Sequence, residues 1–175
     1  MTLSLEGGLA PDIKKIGVRA VLLSPSQVYR TLKQRGTLHR LLWGFSGAVL
    51  LNGLMAGMIG PEGGLTVLGA VAVFNSLGMA FLSSLMGWLA LWLVGRRRPG
   101  ASVVVPSVAY GFGVTLLVSW IPGSFVYTEP WKWGVIWVGF RELGGVSGRR
   151  ALGAVFLTLV SLMLLFKGLF MLQGM

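Results

Sequence analysis

The chain has no cysteine and one histidine, His39. The first absence excludes disulfides, thiol catalysis, iron–sulfur ligation and cysteine-type zinc sites. The second excludes bis-histidine haem ligation from one copy. Acidic residues are nearly as scarce, five against fifteen Lys and Arg. No pair of carboxylates stands at helical spacing, no Ser lies near the His, and no glycine loop ends in Lys-Ser or Lys-Thr. These gaps predict a protein that is not an enzyme and holds no metal or cofactor.

Charge is the other shortage. Only 11% of residues are charged and 54% are hydrophobic, with a mean hydropathy of +0.78. A soluble domain carries about a quarter charged residues. The deficit points to one integral membrane domain. The net charge of +10 comes without a nucleic-acid reading motif, so no nucleic-acid partner is expected. Basic residues that keep loops cytoplasmic and meet anionic lipid heads explain it better. Met1 to Asp12 holds no apolar core of signal-peptide length, so no cleaved signal is expected.

Asp12 starts a short amphipathic helix to about Leu23, with Lys14, Lys15 and Arg19 off its apolar face; its length suits the membrane surface. Ser24-Pro25-Ser26-Gln27 starts a second, with Ser24 as cap and Pro25 at the first helical position. Val28, Tyr29 and Leu32 form its stripe. Arg30, Lys33 and Arg35 face water or lipid heads, and Gly36 ends it. Leu41–Gly60 is the first expected span, rising about 30 Å. Pro61–Gly64 is a tight outer turn. Leu65–Val94 is the second span, a single long helix, with Trp88 and Trp92 near its cytoplasmic end. Arg96-Arg97-Arg98-Pro99-Gly100 is a stop and turn. Val103–Ile121 is the third span, and Pro122–Pro130 an outer loop. Trp131–Leu143 is read as a short fourth crossing with Lys132 and Arg141 snorkelling from its ends. Without it Arg141, Arg149 and Arg150 would move to the outer side, against the positive-inside rule. Ala151–Leu172 is the fifth span, with Lys167 near its outer end.

Small and polar residues recur every four positions. One set is Gly44, Ala48, Asn52 and Ala56; another is Ala72, Ser76, Ala80 and Ser84; a third is Ser107, Gly111, Thr115 and Ser119. Spacing by four puts each set on one helix face, where backbones approach closely. Helix packing or partner docking explains these faces better than a substrate pathway, because the first three spans carry no charge at depth. Asn52 and Asn75 are expected to find a mutual or backbone hydrogen bond. Lys14, Lys15, Arg19 and Arg96, Arg97 and Arg98 could contact anionic lipid or an acidic partner. Trp131, Trp133 and Trp137 suit an aromatic belt at the outer interface.

Three stretches are similar to the Yip domain family of small five-span membrane proteins. They are Leu22-Leu23-Ser24-Pro25-Ser26-Gln27-Val28-Tyr29-Arg30-Thr31-Leu32, then Val108-Ala109-Tyr110-Gly111 running on to Ile121-Pro122. The third is Ile136-Trp137 with Glu142-Leu143-Gly144-Gly145-Val146-Ser147-Gly148-Arg149-Arg150-Ala151-Leu152. The resemblance covers roughly residues 22–172 and implies five spans with a cytoplasmic N-terminus. Eukaryotic members bind Rab GTPases in vesicle traffic, but their acidic Asp-Leu-Tyr-Gly-Pro type motif is absent here. The short basic N-terminus is more similar to prokaryotic members, so Rab binding is not implied.

The expected fold class is therefore an all-α polytopic membrane helical bundle. Residues 1–40 form a cytoplasmic segment with interfacial helices, and residues 41–175 a five-helix transmembrane domain. It sits in the cell (inner) membrane with its C-terminus outside. The expected function is non-catalytic binding of membrane lipids or other membrane protein subunits. Two alternatives are an accessory subunit of a respiratory, photosynthetic or transport complex, and a small transporter of neutral or lipidic cargo.

Overall fold

The computed structural model describes residues 24–35, 38–59, 65–95, 99–121 and 123–173. The expected surface helix with Lys14, Lys15 and Arg19, the turn at 61–64, and Arg96, Arg97 and Arg98 lie outside the described residues. Six helices are described: α1 (Pro25–Arg35), α2 (Leu38–Ile59), α3 (Leu65–Val94), α4 (Ala101–Leu116), α5 (Phe125–Gly144) and α6 (Gly148–Gln173). α3 has the bounds expected from sequence, because nothing charged and no proline interrupts it.

α2 and α3 form an antiparallel hairpin. Its tightest point is Gly53 against Gly69, where a Cβ on Gly69 would stand 2.9 Å from the Gly53 carbonyl oxygen. Only hydrogen side chains permit that approach. α4 runs alongside α2, with Gly113 beside Phe45 and Ser119 bonded to Asn52. α5 returns antiparallel to α4, and α6 packs on α3 and α5. The main core gathers Leu91, Val104, Val108, Phe112, Ile136, Phe140 and Val155 from α3 to α6.

The bundle is all-α, but five transmembrane helices are not present among the described residues. Three helices are long and apolar enough to cross a membrane: Leu41–Ile59, Thr66–Val94 and Gly148–Gln173. The expected third span stops at Leu116 instead of Ile121, leaving 16 residues. That is a rise of about 24 Å against a core of about 30 Å. Side chains end it. The Thr115 hydroxyl bonds back to the Gly111 and Phe112 carbonyls and the Ser119 hydroxyl to that of Leu116. The Trp120 indole donates to the Leu117 carbonyl, and Val118, Ile121 and Ser124 continue as i to i+3 turns. Such local bonds offer the backbone an alternative to the α-helix.

The expected fourth span is also overturned. The chain is helical from Phe125, through Pro130, to Gly144. The expected outer loop up to Pro130 is therefore helical from Phe125 on. α5 is long enough to cross, but Glu129, Lys132, Arg141 and Glu142 keep it out of the apolar class. Nor does Lys132 snorkel: it is 6% exposed, inside the bundle. Gly145 ends α5 in the left-handed region at φ 61°, its N–H on the Arg141 carbonyl, a conformation glycine adopts without steric cost.

Candidate functional site

The N-terminal helix is held on the bundle by one aromatic plug. Tyr29 is fully buried. Its hydroxyl donates to the Ser107 carbonyl at 3.1 Å, and its ring meets Tyr110 edge-on at 5.3 Å between centroids. Burial, with Tyr110 beside it, pushes Tyr29 ionisation well above the ordinary value, so the hydroxyl remains a donor. Gly139 makes the seat. A Cβ there would fall 2.7 Å from Ser107 Cβ and 2.8 Å from Tyr29 Cζ. The apolar stripe of α1 expected to face the membrane surface thus packs on α4 and α5.

A charged clasp closes over the plug. Arg30 Nε donates to Glu142 at 3.1 Å, Arg141 to the same carboxylate at 2.7 Å, and Lys33 to the Glu142 carbonyl. The hydrogen bond from Arg30, then that from Arg141, holds the Glu142 carboxyl below the usual carboxylate range. A depressed folded-state pKa contributes stability above the unfolded value of about 4.3, lost as pH falls through the folded one. Protection of α1 from protease should hold from pH 7 to about 5 and fall below about 4. Glu142→Gln should remove that step; an unchanged step in the variant would assign it to another carboxylate.

Around Asn52 the polar side chains satisfy one another, whereas the buried Ser83 hydroxyl has no partner among the described residues. Asn52 donates to Ser76 at 3.4 Å and accepts from Ser119 at 2.7 Å, while Ser76 also donates to the Ala72 carbonyl. The expected bond between Asn52 and Asn75 is absent. Asn75 lies about 100° round α3 from Ser76, on the exposed side. Ala48, Ala80 and Gly111 are buried, Gly111 beneath Ile136; Ala56, Ala72 and Ser84 are half-buried; Gly44 is exposed with open space around it. Ser107 and Thr115 are buried and bond back to their own helix.

Lys132 was read from sequence as a snorkelling end of a crossing, not as a buried charge. Its ammonium lies 2.6 Å from Glu129 and 4.4 Å from the centre of the Phe112 ring, while the Trp133 indole donates to the other Glu129 oxygen. The three tryptophans of α5 do not form one belt. Trp131 packs with Tyr29 and Tyr110, whereas Trp133 and Trp137 pack on the main core. Trp137 donates to the Gly148 carbonyl at 2.9 Å. Among the described residues no cluster of His, Asp and Glu could hold a metal ion.

α3 touches α4 less than it touches α2 or α6. Their separation opens an apolar cleft of about 370 Å³, floored by Phe45 of α2 and walled by Ala80, Ser84, Trp88, Val104 and Val108. That volume falls within the range of small-molecule sites. At one end the Trp88 indole donates to the Pro99 carbonyl at 3.0 Å. Ala80 and Ser84 were picked from their spacing as a packing face. Phe45 and the valines carried no signal, because a gap between helices has no sequence pattern.

Three helices able to span and an apolar outer surface define an integral, polytopic, all-α membrane protein. No protein family, curated protein or solved structure matches the chain.

Proposed function

We propose that this is a non-catalytic membrane protein of Yip type that holds a lipid acyl chain in the cleft between α2, α3 and α4. The observation that carries the reading is the lining of that cleft, apolar except for the Ser84 hydroxyl and the Trp88 indole. In the hydrocarbon region no water is present to fill such a groove, so an acyl chain is its natural occupant. The cleft ends beside Pro99, which Arg96-Arg97-Arg98 immediately precede in sequence. Chain connectivity keeps their α-carbons within about 11 Å of Pro99, so an anionic headgroup suits the bound lipid.

The Yip likeness is supported by convergence. Its three stretches, far apart in sequence, meet where Tyr29 packs on Tyr110 and Arg30 pairs with Glu142. Arg30, Lys33 and Arg141 also gather at one end of the bundle, next to the start of α6 with Arg149 and Arg150. By the positive-inside rule that end is cytoplasmic, and α6 carries the chain away from it.

Protein purified in mild detergent should retain phospholipid, enriched in anionic species over the bulk membrane, by native mass spectrometry. Ser84→Phe should fill the cleft and remove that lipid. Replacing Arg96, Arg97 and Arg98 by Gln should abolish the anionic preference without emptying the cleft. Equal lipid on the wild type and the filled variant would sink the proposal.

A further inference from the structure

α3 presents a polar group to the wrong solvent. It is one of the helices able to span, from Thr66 to Val94. Asn75 lies about 14 Å along it from Thr66, close to half the thickness of a hydrocarbon core of about 30 Å. Its neighbour Ser76 bonds to Asn52, inside the apolar stretch of α2. Yet Asn75 is exposed and makes no hydrogen bond to any described residue. Around it Val67, Val71 and Phe74 are exposed, Phe74 at 74%. One turn on, Gly78 has nothing within 4 Å of where a Cβ would stand.

An amide in hydrocarbon without a partner is costly, and acyl chains offer neither donor nor acceptor. Lipid ester groups lie at the interface, beyond the reach of a short side chain at this depth. The partner must therefore bring a polar group to mid-bilayer. A carboxamide carries both donors and an acceptor, so two copies related by a two-fold axis satisfy each other at a single residue. Open space at Gly78 lets the two backbones close to the distance that such a bond needs.

We propose that α3 is a self-association face, on which two copies of this chain pair through reciprocal Asn75 hydrogen bonds. The pairing is independent of the lipid-binding reading, since Asn75 and Gly78 lie outside the cleft.

The absence of cysteine makes the test clean. Single cysteines placed at Gln173 can carry donor and acceptor dyes, and energy transfer in liposomes at graded protein-to-lipid ratios reads association. Wild type should transfer in proportion to a dimer. Asn75→Leu should raise the dissociation constant about tenfold, the scale of an interhelical hydrogen bond. Asn75→Gln, which keeps the amide, should retain most of the affinity. Val71→Cys should cross-link between copies on oxidation, whereas Phe156→Cys on α6 should not. The Asn75 side chain makes no hydrogen bond among the described residues, so the leucine variant should keep wild-type thermal stability and lipid retention. A wild type that remains monomeric at every density would overturn the proposal, whether another protein or the chain's own first residues cover the face. Association unaffected by Asn75→Leu would overturn it as well. Neither result bears on the lipid in the cleft.

Discussion

Gly139→Ala is expected to destabilise the detergent-solubilised protein, while Gly134→Ala, on the same helix, stabilises it. Both changes gain the helix propensity of alanine, about 1 kcal/mol. Only at Gly139 does the new methyl meet anything. It would lie 2.7 Å from Ser107 Cβ and 2.8 Å from Tyr29 Cζ, whereas at Gly134 nothing stands within 4 Å. Neither neighbour can retreat cheaply. Ser107 is tied by its hydroxyl to the Val103 carbonyl at 2.6 Å, and Tyr29 by its own to the Ser107 carbonyl. Overpacking of this kind costs about 1–3 kcal/mol, so the alanine should be net destabilising and Gly139→Val more so. Denaturant unfolding of the four proteins gives the comparison. Limited proteolysis between α1 and α2 adds a local readout, since the methyl at Gly139 pushes against the Tyr29 plug. Equal responses at the two glycines would show that α1 and α4 do not meet α5 as described.

The second large effect is an asymmetry across one ion pair. Lys132 is buried while the Glu129 side chain is 53% exposed. Glu129→Gln leaves an ammonium inside the bundle with a neutral amide and the Phe112 and Trp133 rings, but no counter-charge, beside it. Stranding a buried charge costs roughly 3 kcal/mol. Lys132→Met keeps the apolar stem against Phe112 and leaves behind a carboxylate that solvent and the Trp133 indole can still serve. That change should cost under about 1 kcal/mol, as exposed partners do. The double variant should return close to the level of Lys132→Met alone. Glu129→Gln proving no worse than Lys132→Met would contradict the burial of the ammonium.

These two sites also mark where sequence stopped being informative. Leu65–Val94 was legible end to end, because hydrophobic runs report directly on a helix surrounded by apolar matter. Asn52 was legible as a group in need of a partner. Its choice of Ser76 and Ser119 over Asn75 was not, because one residue of displacement turns a side chain by about 100°. Val118 to Ile121 read as continuing helix by hydropathy alone. Hydropathy is blind to the hydroxyl and indole bonds that turn the chain after Leu116. Pro130 read as a boundary, although α5 runs through it. The charges of α5 were visible, but they were assigned to interfaces by linear position. The burial of Lys132 depends on Phe112, twenty residues away and reached only once α4 and α5 lie antiparallel. The seat at Gly139 was hidden for the same reason, since contact across three helices leaves no mark on any one of them.

The clasp between Arg30 and Glu142 joins residues 112 apart in the chain, and this sets a delay during synthesis. At about 5–20 residues per second, roughly 6–22 s pass between translation of the first partner and of the second. For that interval Tyr29 has no Ser107–Gly139 seat, because most of α4 and α5 has yet to emerge from the ribosome. The newborn α1 must wait as an amphipathic helix, with Val28, Tyr29 and Leu32 on one side and Arg30 and Lys33 on the other. Such a helix rests at a bilayer surface rich in anionic lipid. The surface location read from sequence thus describes the helix before docking, a way station in biogenesis that the finished bundle no longer displays.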